Sequence, residues 1–127
     1  MADARPPEEP VIRVVAMPAD TNPAGDIFGG WLMSWMDLAA STMASRRARG
    51  RAATIAVESM TFLRPVVVGD EVSFYARLVA TGRTSMKIDV EAWRRHRESD
   101  ETHQVTSATF TFVAIGADRR PRELPPA

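Results

Sequence analysis

From Val11 to Ala16 the chain reads VIRVVA, a β-branched run that predicts a short strand, and the PADTNPAGD that follows is a loop dense in turn residues. At Gly29 the spacing changes. GGWLMSWMDLAASTMASRRARG places Trp31, Leu32, Met33, Trp35, Met36, Leu38, Ala39, Ala40, Met43 and Ala44 on nearly every face of a helix. A helix apolar all round is expected to be buried. Arg46, Arg47 and Arg49 ahead of Gly50 are stop signals that also complement the helix dipole. After Gly50 the period becomes two. Thr54–Phe62, Val72–Ala80, Thr84–Trp93 and Val105–Ala114 each alternate apolar with polar, which predicts strands. RPVVVGD, TGR and RRHRESDETH separate them and read as turns or hairpin connections, the last a solvated tip. Five strands and one long inserted helix make an α+β domain, with a curved antiparallel sheet wrapped around the helix.

Prolines mark both ends: Pro6, Pro7 and Pro10 in front, then Pro121, Pro125 and Pro126 behind. The expected organisation is a flexible tail over 1–10, one domain over 11–115 and a second flexible tail over 116–127. A chain of 127 residues has room for one core.

Within Trp31–Ala44 the only charge is Asp37. An unpaired carboxylate on a buried helix costs several kcal/mol unless it is hydrogen-bonded or neutralised, so a chemical role outweighs a merely structural one here. Gly29 and Gly30, at the expected helix start, would let an oxygen approach free backbone N–H groups where the dipole favours negative charge. That is a ready oxyanion hole, although paired glycines also serve tight turns and close packing.

Composition narrows the chemistry further. Sixteen basic residues balance sixteen acidic ones, so no net field holds a nucleic acid or an anionic membrane. The Arg46–Arg51 cluster has no interleaved aromatics, which also disfavours nucleic acid. Zero cysteines remove disulfides, thiolate metal sites and a thiol nucleophile. No metal-ligand spacing and no Ser-His-Asp set can be assembled; His96 and His103 lie in or beside the charged tip and read as exposed surface. MADARPPEEP lacks the basic start and apolar core of a secretory signal, and no apolar run approaches membrane length, so a soluble, cytoplasmic protein is expected.

NPAGDIFGGWLMSWMDLAAS, then AVESMTFLRPVVVGD, then VATGRTSMKIDVEAW resemble, in that order, the acyl-CoA thioesterases of the hotdog-fold superfamily, particularly their bacterial YciA-like branch. The resemblance runs from Met17 to Ala114. It implies a hotdog fold, dimers joined into a continuous sheet and commonly assembled into hexamers, and hydrolysis of acyl-CoA to free acid and CoA. By resemblance the catalytic carboxylate falls on Asp37 and the loop asparagine on Asn22, the two serving one site from opposite subunits. Phe28 stands before the paired glycines where many relatives carry histidine, which argues against a histidine base.

A CoA enzyme is expected to offer cations to the phosphates. Arg64, Arg83 and Lys87, with Thr84 and Ser85 in the same turn, are the candidates, each of the cations equally readable as solvated surface. Phe28, Glu58 and Met60 are candidates for the acyl pocket; Glu58 reads equally well as a paired structural acid. CoA enters as part of the substrate and product, with no metal or redox cofactor implied. Two rival functions on the same fold remain, a non-catalytic acyl-CoA binding or sensing module and a dehydratase, though the latter would want a histidine in the site.

Overall fold

The computed structural model describes residues 3–127; Met1 and Ala2, the first residues of the expected N-terminal tail, lie outside the described residues. The elements are β1 (Ile12–Val15), a 3₁₀ turn at Pro18–Asp20, α1 (Gly29–Ala48), β2 (Ala52–Phe62), β3 (Glu71–Thr81), β4 (Ser85–Arg95) and β5 (Thr102–Ala114). Helix and strands fall where the periodicity places them, to within a few residues at their ends. All strand pairs are antiparallel, and the sheet runs β1-β3-β4-β5-β2. With α1 packed on one face, this is the expected hotdog arrangement.

One expected hairpin is absent. β2 pairs with β5 at the far edge of the sheet, so RPVVVGD is part of a crossover and joins strands that are not neighbours. The connection is tied at both ends of its path: Leu63 N–H donates to the Val105 carbonyl, and Ala16 N–H donates to that of Asp70. Val66, within the connection, is buried. Alternation reports which face a side chain takes but carries no information on which strand lies alongside.

Leu32, Met36, Ala40, Ala44 and Ala48 recur every four residues on α1, and with Ala39 they form its buried face. The alanines let the helix settle close to the sheet, against Phe74, Met86, Ile88, Phe110 and Phe112, whose side chains are all fully buried. The expectation of a helix buried all round is corrected: Met33 is 39% and Leu38 52% exposed. One protomer has one sheet to cover one face, and the other apolar face of α1 stays open. The helix ends at Arg49 in the left-handed region (φ 52°), with Gly50 N–H returning to the Ser45 carbonyl.

Residues 3–10 run beside the outer face of the sheet. Asp3 N–H donates to the Thr102 carbonyl (3.0 Å), and Arg77 lies 3.1 Å from Glu8. A backbone hydrogen bond, then Arg77, hold the Glu8 carboxyl below the usual carboxylate range. Residues 116–127 return along the end of α1. Arg122 donates to the Ala48 carbonyl (2.7 Å), Arg47 donates to that of Pro125 (2.6 Å), and Leu124 packs against the core. The first of these contacts caps a carbonyl that the helix end leaves open.

Phe74→Ala is expected to cost about 3–5 kcal/mol, because it empties a fully packed position. Leu124→Ala, at a half-buried position, is expected to cost clearly less. Urea denaturation of both variants checks the ranking, and equal losses would place the C-terminal segment on a level with the core.

Candidate functional site

Gly30, Met33, Ser34 and Asp37 follow the i, i+3, i+4, i+7 spacing of one helix face. That face looks toward β2, and together with Thr54, Val57 and Phe110 it lines a cavity of about 350 Å³. Thr54 Oγ1 donates to Asp37 Oδ1 at 2.5 Å across the gap between strand and helix. One carboxylate oxygen is thereby fixed. Around it Met33, Val57 and Phe110 supply an apolar wall, so a carboxylate faces a largely apolar space.

Thr54 did not stand out in the sequence. It occupies an ordinary position in an alternating strand, and only the pairing of β2 with β5 carries it to Asp37. Ser34, on the same wall, turns its hydroxyl inward to the Trp31 carbonyl (2.8 Å).

Phe28 precedes α1 and makes no side-chain cap, so Gly29 and Gly30 begin the helix with backbone donors that no side chain takes. The two glycines differ in surroundings. A Cβ on Gly29 would come within 2.9 Å of the Phe62 ring, and one on Gly30 within 3.2 Å of the Phe28 ring. Gly30 lines the Asp37 cavity; Gly29 lines a separate apolar groove of about 440 Å³ with Leu32, Phe62 and Leu63. Close packing and an accessible helix start coexist here.

Asn22 is held inside its own loop. Its Oδ1 accepts from Ala24 N–H (3.0 Å) and Asp26 N–H (3.1 Å), and it is not among the residues lining the Asp37 cavity. Within one protomer the structure does not bring Asn22 and Asp37 together.

The expected CoA-binding cations all have partners in the chain. Arg64 lies 2.9 Å from Asp3 and donates to the Gln104 carbonyl (2.8 Å), Arg83 lies 3.3 Å from Glu123, and Lys87 lies 3.7 Å from Glu58. Thr84 and Ser85 shape the β3–β4 turn with their backbones, Ser85 O accepting from Gly82 N–H. Of the acyl-pocket candidates, Phe28 is exposed at the helix start and Met60 packs against the core. Glu58, opposite Thr109, joins Lys87 on the outer side of the sheet, away from the Asp37 cavity.

Of the two histidines read as exposed surface, His96 lies at the surface and His103 does not. His103 is 17% exposed, close to Asp3 and Glu101. His96 is half-exposed, but its Nδ1 lies 2.5 Å from Oδ1 of Asp70, a carboxylate only 2% exposed. Asp70 also accepts from Val67 N–H (3.0 Å), so the pair fastens the crossover to the β4–β5 tip. Neither histidine lines the Asp37 cavity.

Comparison with known proteins gives a consistent set of matches. A family model described as the thioesterase superfamily matches residues 24–100. An uncharacterized acyl-CoA thioester hydrolase of Zymomonas mobilis is 59% identical over 121 residues, covering 95% of this chain and 81% of that protein. The acyl-CoA thioester hydrolase YciA of Escherichia coli is 50% identical over 118 residues, covering 91% and 89%. Among solved structures, a hexameric thioesterase of Yersinia pestis superposes with a TM-score of 0.90 at 48% identity, covering 97% of this chain and all of that one.

If Asp70 with His96 is a structural clasp, Asp70→Ala is expected to lower stability by about 1–3 kcal/mol, the usual cost of stripping buried hydrogen-bond partners. Thermal and urea unfolding measure it. An unchanged midpoint would show that the crossover is held by other means.

Proposed function

The chain belongs to the thioesterase superfamily, and from that premise we propose that it is a hydrolase of acyl-CoA thioesters with its reaction centred on Asp37. The observation that carries the reading is the Asp37 carboxylate itself. It is the single charge of Trp31–Ala44, tethered by Thr54 and facing an apolar cavity at whose rim the helix N-terminus begins.

In the proposed reaction Asp37 acts as general base on a water that attacks the thioester carbonyl carbon. The carbonyl oxygen becomes an oxyanion, which the N–H groups of Gly29 and Gly30 stabilise at the positive end of α1. Collapse of the intermediate breaks the C–S bond and expels the CoA thiolate, which takes a proton; the carboxylic acid leaves with the oxygen of water. Thiolate departs readily, so a base and an oxyanion hole suffice without a nucleophilic triad. Thr54 is a positioning residue that fixes the carboxylate rotamer. We assign the activity to the cytoplasm, a compartment that a cysteine-free chain fits.

The same reading requires a second copy. β2 is an edge strand of eleven residues with Ile55 and Val57 exposed, and Leu38 and Met33 are uncovered beside it. A long apolar edge of this kind calls for a partner. Pairing two such edges would extend the sheet from one protomer into the next and close the Asp37 cavity from its open side. Asn22, which does not reach Asp37 in its own protomer, would then enter the partner's site, and dimers of this kind would assemble into a hexamer like that described for the Yersinia pestis structure.

Asp37→Asn is expected to fold and to lose about 10²–10⁴-fold in kcat, the usual cost of removing a positioned base. Thr54→Val is expected to lose less and to keep KM, because it leaves the base in place but unanchored. Thiol release from an acyl-CoA panel measures both. Wild-type turnover in folded Asp37→Asn would refute the mechanism.

Mixing inactive Asn22→Ala and Asp37→Asn chains after subunit exchange is expected to restore part of the activity, since one site of each mixed dimer is intact. No recovery after exchange verified by mass would place both residues in one chain's site.

A further inference from the structure

The outer face of the sheet carries a second cleft, of about 520 Å³, lined by none of the residues that line the Asp37 cavity. Four arginines line it, Arg5, Arg13, Arg94 and Arg95, against two carboxylates, Glu71 and Asp100. Thr102 belongs to this cleft and Phe110 to the Asp37 cavity; eight positions of β5 separate them, about 27 Å of antiparallel strand. Within one protomer the two are different places.

Glu71 offsets part of the cleft's charge and also organises it. Its Oε1 lies 3.6 Å from Arg13 Nε and its Oε2 3.3 Å from Arg95 Nη2, so one carboxylate is divided between two guanidinium groups. Arg13 Nε also donates to Ser73 Oγ (3.0 Å), and Arg95 Nη1 donates to the carbonyls of His96, Arg97 and Ser99. Both side chains are thus held in place before any ligand arrives.

Arg94 is short of an acceptor. Among the described residues its Nη1 meets only the His96 ring nitrogen, and its Nε is buried with no hydrogen-bond partner. A buried donor without an acceptor is unfavourable in itself. Arg5, on the segment that flanks the sheet, makes no ion pair among the described residues. The cleft therefore holds a surplus of two positive charges in forks shaped for oxyanions.

We propose that this cleft is a second binding site, taking a small molecule that carries a diphosphate group. A single carboxylate would balance only half of the surplus, and one phosphate would fill a small part of the volume. A diphosphate would offer its two phosphate groups to Arg5, Arg13 and Arg94, with its organic portion against Tyr75 and Trp93, which also line the cleft. A nucleic acid is disfavoured, because the chain as a whole carries no net charge.

The probe is inorganic pyrophosphate, titrated calorimetrically into the intact oligomer at low ionic strength. The expected result is saturable binding of one pyrophosphate per protomer, weakened at least tenfold by Arg5→Ala and by Arg94→Gln. Arg46→Ala, at the exposed end of α1, is expected to leave the affinity unchanged. Arg5 lies outside every strand and helix, so a loss there does not reflect unfolding. Absence of saturable binding, affinity equal to the parent's in both cleft variants, or an equal loss in Arg46→Ala would overturn the proposal. So would a parent that binds no pyrophosphate but whose oligomer mass falls in the two cleft variants, since the arginines would then be a contact between protomers.

Discussion

Everything in this protein depends on how close α1 can come to the sheet. Ala39, Ala40, Ala44 and Ala48 are fully buried, and side chains this small bring the helix down onto Phe74, Ile88 and Phe110 with little between. A larger residue on that stripe would lift the whole helix. The rotation of α1 about its axis is fixed by the same contact. Once the alanines face the sheet, Gly30, Met33, Ser34 and Asp37 have to face β2, and the position of the carboxylate follows from packing that does not include it.

The strand pairing completes what the helix begins. Because β2 lies outside β5, its Thr54 stands opposite Phe112 and reaches the helix face that carries Asp37. Had β2 paired with β3 as a hairpin, that meeting would not occur. The same arrangement leaves an eleven-residue strand as the edge, whereas the other edge, β1, has only four. Short edges are a way of discouraging association, and long apolar ones invite it. The asymmetry favours the proposed pairing through β2, on the side where the carboxylate lies.

This division explains what was legible in the sequence. The helix and each strand announce themselves because burial on one face imposes a period, and Asp37 stands out because it breaks the apolar pattern of α1. Strand order, by contrast, is a property of pairs. Nothing local in Thr54 distinguishes it from Thr61, and nothing local in Asp70 or His96 tells that they meet across the crossover. The cations suffered in the same way: Arg64, Arg83 and Lys87 look free in sequence, yet their acidic partners come from the far ends of the chain or from another strand. The arginines that do hold a surplus of charge, around Glu71, are spread over the N-terminal segment, β1 and β4 and share no motif.

The site is also where local and global preferences part. A carboxylate in an apolar cavity is unfavourable unless its oxygens are hydrogen-bonded, and Thr54 satisfies one of the two. In an isolated protomer water can reach the other. Covering the open face of α1 with a second β2 edge would remove that water, leaving an oxygen whose remaining partner must be substrate water or a group from the neighbouring chain. Burial of Leu38, Ile55 and Val57 in the same step supplies the opposing favourable term, since about 25 cal/mol per Å² of apolar surface accompanies each area removed from water. In that pairing the exposed apolar residues beside Asp37 would do more than associate two chains. In the proposed dimer they would offset the cost of holding a half-satisfied carboxylate, a cost that falls on the side of the helix where apolar surface is left uncovered.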